Sequence, residues 1–190
     1  ISCQKLEKLP QLKNNSMLHT VQFKACTKIT DLLPLKDCPQ LSWLNLANCE
    51  KLSDLSPLSS LPKLLGLELS SCDAIQDLGA IGECHRLFYL QLGGCQNISS
   101  LTPLETCSSL THLVLSNCQK LEEKHLLSLS FFSRLLYLNM SKKELLHDLR
   151  CLKNCSSLYR LDLKYCQDLE SISLLSNLKS LAKLDLSGSD

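Results

Sequence analysis

A short pattern of hydrophobic and polar positions recurs along the chain. Leucine or a similar residue stands at its first, fourth and sixth positions, other residues stand between them, and Cys follows at the ninth. Because side chains alternate between the two faces of a strand, the fourth to sixth residues predict a short β-strand with its leucines in the core and the residues between them exposed. The copies read LSWLNLANC (41–49), LLGLELSSC (64–72), LFYLQLGGC (87–95), LTHLVLSNC (110–118) and LYRLDLKYC (158–166).

A second hydrophobic pattern fills the segment between one Cys and the next strand. Apolar residues recur three, six and nine residues after the Cys, and this period of three favours short 3-10 turns over a long α-helix. Pro34, Pro57 and Pro103 fall within these segments, and proline limits helix propagation. Each repeat is therefore predicted to be one strand followed by one return segment. The first six cysteines of the pattern are separated by 23 residues each, at positions 3, 26, 49, 72, 95 and 118.

The repeat resembles a known family. LxxLxLxxC joined to ITDLLPL (29–35) and LSDLSPL (52–58) resembles the internalin-like class of leucine-rich repeat proteins, with Cys in place of the Asn of that class. It is especially similar to the Cys-containing repeat proteins of trypanosomes. The resemblance covers nearly the whole chain and implies an α/β solenoid, an arc or horseshoe with about eight parallel strands on the concave side and 3-10 or short helices on the convex side. It also implies partner binding, without naming the partner.

The whole of 1–190 is predicted to be a single solenoid and a fragment of a longer chain. Ile1 is not a natural initiator, and the first residues already lie inside a repeat. We expect a partial turn around Cys3. It is followed by parallel strands near residues 20–24, 43–47, 66–70, 89–93, 112–116, 137–141, 160–164 and 183–186.

One repeat departs from the constant interval. Between Cys118 and the next equivalent position, Lys143, there are 25 residues instead of 23, and this repeat lacks the Cys. Its return segment, LEEKHLLSLSFFSRL (121–135), contains neither Pro nor Gly, which predicts the longest helix of the chain. We expect a local kink or widening of the solenoid at 119–143.

The 12 cysteines bear on the compartment in which the protein works. Eleven of them occupy either the recurring Cys position or a position that carries Leu in other repeats, so we expect small, buried, reduced side chains. Reduced thiols favour the cytoplasm or another reducing compartment. The alternative is a secreted or cell-surface protein glycosylated at its Asn-x-Ser sequons, which are at Asn14, Asn97, Asn139 and Asn154.

Charge and hydropathy narrow the class of partner. Twenty Lys and Arg against 19 Asp and Glu give a net charge of +1, so nucleic acid is not an expected partner. The sequence contains no stretch of 18 apolar residues, so membrane insertion is not expected. A protein partner is expected, and the sequence leaves the oligomeric state open.

The residues before the second leucine of each copy form a column across the predicted sheet, which we call the aromatic column. It holds the single Trp and two of the four Tyr, and aromatic and Arg side chains supply much of the binding energy at protein interfaces. Gly66 is predicted to leave a gap of roughly 10 Å that one partner side chain fills. The alternative is that these aromatics only cover the sheet or pack on a flanking segment. The column reads Thr20, Trp43, Gly66, Tyr89, His112, Tyr137, Arg160 and Lys183.

A second column, the polar column, lies between the second and third leucines and becomes acidic towards the C-terminal end. Asp162 and Asp185, about 4.8 Å apart on adjacent strands, are expected to raise each other's pKa or to form a solvated rim beside Arg160 and Lys183. The polar column reads Gln22, Asn45, Glu68, Gln91, Val114, Asn139, Asp162 and Asp185. The predicted partner-binding residues are Trp43, Glu68, Phe88, Tyr89, Gln91, His112, Tyr137, Arg160, Asp162, Lys183 and Asp185.

Catalytic and metal chemistry find little support in the sequence. His147, Cys151 and Cys155 are four residues apart, but Cys155 is a core position and no fourth ligand is indicated, so neither metal nor cofactor is expected. Thiols at the recurring Cys position are predicted to point inward and His112 outward, which argues against a Cys–His nucleophile. We therefore expect a non-catalytic scaffold that binds a protein on its concave face. The alternatives are a structural subunit of a large assembly and the substrate-receptor or regulatory region of an enzyme.

Overall fold

A computed structural model describes residues 4–189, which form one open sheet of eight parallel strands in chain order. All eight predicted strands are present and begin where expected, although regular pairing lasts only three residues in each. The turn expected around Cys3 involves residues outside the described range. The strands are β1 (Thr20–Gln22), β2 (Trp43–Asn45), β3 (Gly66–Glu68), β4 (Tyr89–Gln91), β5 (His112–Val114), β6 (Tyr137–Asn139), β7 (Arg160–Asp162) and β8 (Lys183–Asp185).

The register of the sheet is the same from strand to strand. Trp43 is opposite Gly66, Gly66 is opposite Tyr89, and the same correspondence continues to Lys183 on β8. The central leucine of each inner strand is buried, as at Leu44, whose side chain has no exposed surface. Equivalent positions of all repeats therefore line up, and the aromatic column runs across the outer face of the sheet.

The convex side consists of short helices, as the period of three predicts. Two are single α-helical turns, α1 (Gly79–Gly82) and α2 (Glu123–Leu126). An Asp side chain begins several of them by accepting the N–H two residues later, as Asp54 does from Ser56 at 2.8 Å. The 3-10 helices are Leu33–Asp37, Ser56–Ser60, Thr102–Thr106, Leu127–Phe131, Arg150–Leu152 and Ser173–Asn177.

The irregular repeat has a different convex segment from the one predicted. The helical run at 123–131 is the longest among the described residues, but α-helix covers only Glu123–Leu126 and 3-10 helix follows to Phe131. Leu126, Leu129 and Phe132 are buried. Their spacing of three residues matches the 3-10 turn, and the prediction of a long helix over 121–135 is therefore wrong in its type.

The recurring cysteines form a hydrogen-bonded ladder inside the solenoid. From Cys49 onwards, each of these thiols donates to a backbone carbonyl 26 residues earlier in the chain, as Cys72 does to Leu46 at 3.1 Å and Cys95 does to Leu69 at 3.0 Å. The Ser189 hydroxyl makes the same bond to the Leu163 carbonyl at 2.7 Å, so Ser takes the place of Cys in the last repeat. We call this set the Cys ladder; it comprises Cys49, Cys72, Cys95, Cys118, Cys166 and Ser189.

A second row of cysteines behaves in the same way on the convex side. Cys84, Cys107 and Cys155 donate to carbonyls 26 residues earlier at 3.3–3.6 Å. All eleven cysteines within the described range are free and buried. Burial raises the thiol pKa of Cys72 and of Cys84 to about 12, so these groups stay protonated at neutral pH.

Candidate functional site: an aromatic row on the concave face

The aromatic column forms a continuous row of touching rings. The ring centroids of Trp43 and Tyr89 are 5.1 Å apart, those of Tyr89 and His112 are 6.3 Å apart, and those of His112 and Tyr137 are 6.1 Å apart. The guanidinium carbon of Arg160 lies 5.2 Å from the Tyr137 ring centroid. These separations are typical of tilted aromatic and cation–π contacts. The row therefore extends from β2 to β7 on one face.

Gly66 allows Trp43 to lie flat on the sheet. A Cβ atom on Gly66 would lie 2.2 Å from Cε3 of Trp43, so the indole ring occupies the space where any other side chain would begin. The same ring bridges to Tyr89 across β3. The predicted gap at Gly66 is therefore wrong, because a side chain of the chain itself fills it.

In several repeats, an exposed apolar side chain flanks the row at the residue directly before the aromatic column. Phe88 is one of the predicted partner-binding residues, and Tyr159 at the equivalent position is 49% exposed. Leu136, between them in this column, is 42% exposed and was missed. Leu136 could have been found in the sequence from its alignment with Phe88 and Tyr159 at the same position of the repeat. A leucine in a leucine-rich chain does not by itself indicate an exposed site.

The polar column is largely engaged within the sheet. The Asn45 amide donates to the carboxylate of Glu68, and the Tyr89 hydroxyl donates to Oε1 of Gln91 at 2.9 Å. Asn45 Oδ1 also accepts the N–H of Ala47 at 3.0 Å. These contacts fix the orientation of Glu68 and Gln91 beside the aromatic row.

The two aspartates at the C-terminal end behave differently from expectation. Asp162 is buried, and its Oδ1 accepts the N–H of Lys164 at 3.2 Å. Asp185 accepts hydrogen bonds from the Ser187 hydroxyl and N–H and from Lys164, and these bonds lower its pKa to about 2. The expected rise in the pKa of Asp185 is therefore wrong, because donors around its carboxylate outweigh the neighbouring aspartate. Its cationic partner is Lys164, at 3.0 Å.

A cavity opens beside the C-terminal half of the row, and we call it the C-terminal pocket. It has a volume of about 730 Å³. Three predicted residues line it, whereas Trp43 and Tyr89 lie outside. Its walls are His112, Leu136, Tyr137, Ser157, Tyr159, Arg160 and Ser180.

Two further features concern catalysis and membranes. Among residues 4–189, no three His, Cys, Asp or Glu side chains gather as a metal site would require. His147 instead contacts a Glu123 oxygen at 3.2 Å, and Cys151 is buried. Within the same range, no helix has the length and apolar character needed to cross a bilayer.

Comparison with known proteins gives structural neighbours but no sequence relatives. No protein-family model and no curated protein sequence matches the chain. An internalin (inlF) of Listeria monocytogenes has a TM-score of 0.80 and 25% identity, covering 93% of this chain and 50% of that one. A leucine-rich repeat protein of Leptospira interrogans has a TM-score of 0.85 and 22% identity, covering 99% and 48%. A chain in the structure of the mouse RP105/MD-1 complex has a TM-score of 0.64 and 23% identity. The match covers 81% of this chain and 27% of that one.

This chain thus spans about half the length of the internalin and of the Leptospira protein. The resemblance to trypanosome proteins stays a prediction, since none of these structures tests it. The 23-residue repeat, the open parallel sheet with its 3-10 turns and the match to an internalin over 93% of the chain all agree. The chain is a leucine-rich repeat protein.

Proposed function

We propose that this chain is a non-catalytic protein-interaction module and that its concave face binds a protein partner. The observation that carries the proposal is the continuous row from Trp43 to Arg160. Five strand spacings of about 4.8 Å give it a length of roughly 24 Å, which suits an ordinary protein interface. Aromatic and Arg side chains are the residues that most often dominate the binding energy of such interfaces.

The fold supports the same proposal. Stacked repeats give a long open surface instead of a closed catalytic cleft. A chain of this fold is present in the RP105/MD-1 complex, so the fold is compatible with a partner. The buried thiols are also poorly suited to catalysis. Burial raises the pKa of Cys107 and Cys155 to about 11, and the reactive form of Cys is the thiolate.

We further propose that the protein works in a reducing compartment. Eleven free, buried cysteines suit reducing conditions. Two of the four sequons are also poorly placed for a glycan. The Asn97 amide donates to the Asp73 carbonyl at 2.8 Å, and Asn139 lies within β6. Asn14 and Asn154 are exposed, and glycosylation there would point to the secreted alternative.

The second candidate is a structural subunit that also uses its convex side. Leu127 and Phe131 lie four residues apart on the irregular convex segment and are 54% and 60% exposed. Exposed apolar groups of this size are typical of contact surfaces. A substitution in this convex pair can therefore be compared with substitutions on the concave face.

The test is capture of partners from the source organism by parent and variant chains. Trp43→Ala and Tyr89→Ala remove concave aromatics, and Phe131→Ala is the matched aromatic change on the convex side. We expect a partner that is lost with both concave variants, at a cost of about 2 kcal/mol in affinity, and retained with Phe131→Ala. Loss with Phe131→Ala alone would favour the structural-subunit hypothesis.

A further inference from the structure

The C-terminal pocket exists because small residues occupy one edge of the sheet. The residue directly before the first leucine of the LxxLxLxxC pattern has a long side chain in several repeats, as at Lys63, Arg86 and Arg134. In the last two repeats this residue is serine, Ser157 and Ser180. Tyr159 and Leu136 stand between this edge and the aromatic row and are about half exposed. The shortened edge and the projecting side chains leave the cavity of about 730 Å³, which lies within the usual size range of a ligand site.

The pocket combines this apolar wall with positive charge. Arg160 lines it and lies over the Tyr137 ring, and Lys183 Nζ is 5.9 Å from the Tyr159 ring centroid. Neither cation has an ion-pair partner among residues 4–189.

The acidic side chains nearby are already engaged. Asp185 pairs with Lys164, and Asp162 is buried with one oxygen bonded to backbone. A carboxylate from outside would therefore find two cations without a counter-ion, and a guanidinium can hold a carboxylate through two parallel hydrogen bonds.

At the N-terminal half of the row, Trp43 lies flat over Gly66. A partner on the concave face would meet a flat aromatic surface at that end and a recess at the other. The recess is continuous with the row through His112 and Tyr137, which belong to both. This continuity favours a segment of a protein partner as the occupant.

We propose that the C-terminal pocket binds a peptide segment of the partner in which a large apolar side chain is followed directly by a carboxylate residue. The apolar side chain packs between Leu136 and Tyr159, and the carboxylate pairs with Arg160 and Lys183. This inference rests on the proposed function and specifies the chemistry of the partner.

The probes are four six-residue peptides, acetylated and amidated, with the sequences GSFDSG, GSADSG, GSFNSG and GSFKSG. Each is titrated into the isotope-labelled 190-residue chain, and NMR shifts give the dissociation constant. We expect GSFDSG to bind at least fivefold more tightly than each of the other three, with its largest shifts at the pocket residues. Equal binding of GSFDSG and GSFKSG would overturn the charge assignment, and equal binding of GSFDSG and GSADSG would overturn the apolar one.

Two variants test the location. Ser157→Arg places a long side chain in the pocket and should weaken GSFDSG binding at least fivefold. Ser109→Arg makes the same change at the equivalent position two strands away, outside the pocket lining, and should leave binding within twofold. Full binding by Ser157→Arg would overturn the proposal.

The outcomes separate the two proposals. Failure of GSFDSG to bind preferentially overturns the pocket inference, while capture that depends on Trp43 and Tyr89 would still support the concave face, since both residues lie outside the pocket.

Discussion

Lys143 is the residue that departs most from its environment. It stands at the ladder position of the irregular repeat and is only 1% exposed. Its Nζ donates to the Cys118 carbonyl at 2.5 Å, and no ion pair to it is found among residues 4–189. Burial lowers its pKa from 10.5 to about 8, because a charged amine loses its hydration inside the solenoid. At neutral pH the ammonium group is therefore a local cost to stability.

Replacing Lys143 by Met should stabilise the chain. Met has a similar length without the charge, and we expect a gain of about 1–3 kcal/mol in the free energy of unfolding at pH 7. Urea denaturation measures it, with Lys142→Met, at the exposed neighbouring residue, as the control that should change stability by less than about 0.5 kcal/mol. A Lys143→Met variant no more stable than the parent would contradict the assignment.

The same pair of proteins has a defined pH dependence. Between pH 8 and 10.5 the unfolded chain keeps a proton on Lys143 that the folded chain has lost, so the contribution of Lys143 to the stability of the parent becomes more favourable as pH rises. The difference between Lys143→Met and parent should therefore be full below pH 8 and shrink towards pH 10.5. Urea denaturation of both proteins at several pH values measures this difference. A difference that stays constant from pH 8 to pH 10.5 would contradict the lowered pKa of Lys143.

The buried thiols should resist reagents until the chain unfolds. Burial raises their pKa, as for Cys49 and Cys118, both to about 11, so little thiolate exists at pH 8 in the folded state. We expect few thiols to react with Ellman's reagent in the native protein and twelve after denaturation without reductant. Several thiols missing in both states would indicate disulfides instead.

The raised thiol pKa values also affect the stability of the folded chain at alkaline pH. Above about pH 9 the unfolded chain loses thiol protons that the folded chain retains. The folded state then binds more protons at these thiols, so their contribution to stability falls as pH rises, equally in the parent and in Lys143→Met.

At the scale of the strands, Gly66 and Trp43 act as one unit. A methyl group at Gly66 would displace the indole ring, so Gly66→Ala should expose Trp43 to water and break its contact with Tyr89. Trp43 is the single tryptophan, so its fluorescence reports this directly. We expect a red-shifted emission and stronger acrylamide quenching in Gly66→Ala, with Gly79→Ala, on the convex side, as an unchanged control. Unchanged emission in Gly66→Ala would contradict the packed geometry.

The two faces of β4 should separate stability from binding. Leu90 is fully buried, and Leu90→Ala should cost about 2–5 kcal/mol of stability by leaving a cavity. Tyr89 is on the opposite face, so Tyr89→Ala should affect melting far less while weakening partner binding. Thermal melts of the two variants provide the comparison. A larger loss of stability in Tyr89→Ala than in Leu90→Ala would reverse the assignment of the faces.

The strands and convex turns could be predicted because each depends on a local pattern that is repeated. Period two fixes which face Leu90 occupies, and period three fixes the 3-10 turns that bury Leu35 and Leu58. The columns followed directly from the constant interval. The location of Trp43 over Gly66 did not, because it depends on a side-chain rotamer and on space in the next repeat.

The C-terminal pocket was missed for a similar reason. It arises from the absence of long side chains at Ser157 and Ser180, and no hydrophobic pattern records an absence of bulk. Lys143 was found as an irregularity, but its burial depends on reaching the Cys118 carbonyl in the previous repeat. Contacts between repeats thus account for most of what the sequence patterns did not reveal.

In the whole molecule, every repeat is held by its neighbours alone, so local differences in packing should appear as differences in local stability. The central repeats bury their leucines completely, as at Leu67, Leu90 and Leu113, whereas Leu184 on β8 is exposed. Lys143 adds a buried charge between these two regions. We expect the stack to open from the C-terminal side of residue 143.

Native-state hydrogen exchange in low concentrations of urea tests this expectation. In the 190-residue chain, backbone amides of β3, β4 and β5 should exchange only by global unfolding, and those of β7 and β8 by a smaller opening. Lys143→Met should raise the protection of β7 more than that of β3, because it strengthens the interface that the opening breaks. If β8 amides instead exchange with the same free energy as β4 amides, the solenoid unfolds as one cooperative unit and Lys143 does not divide it.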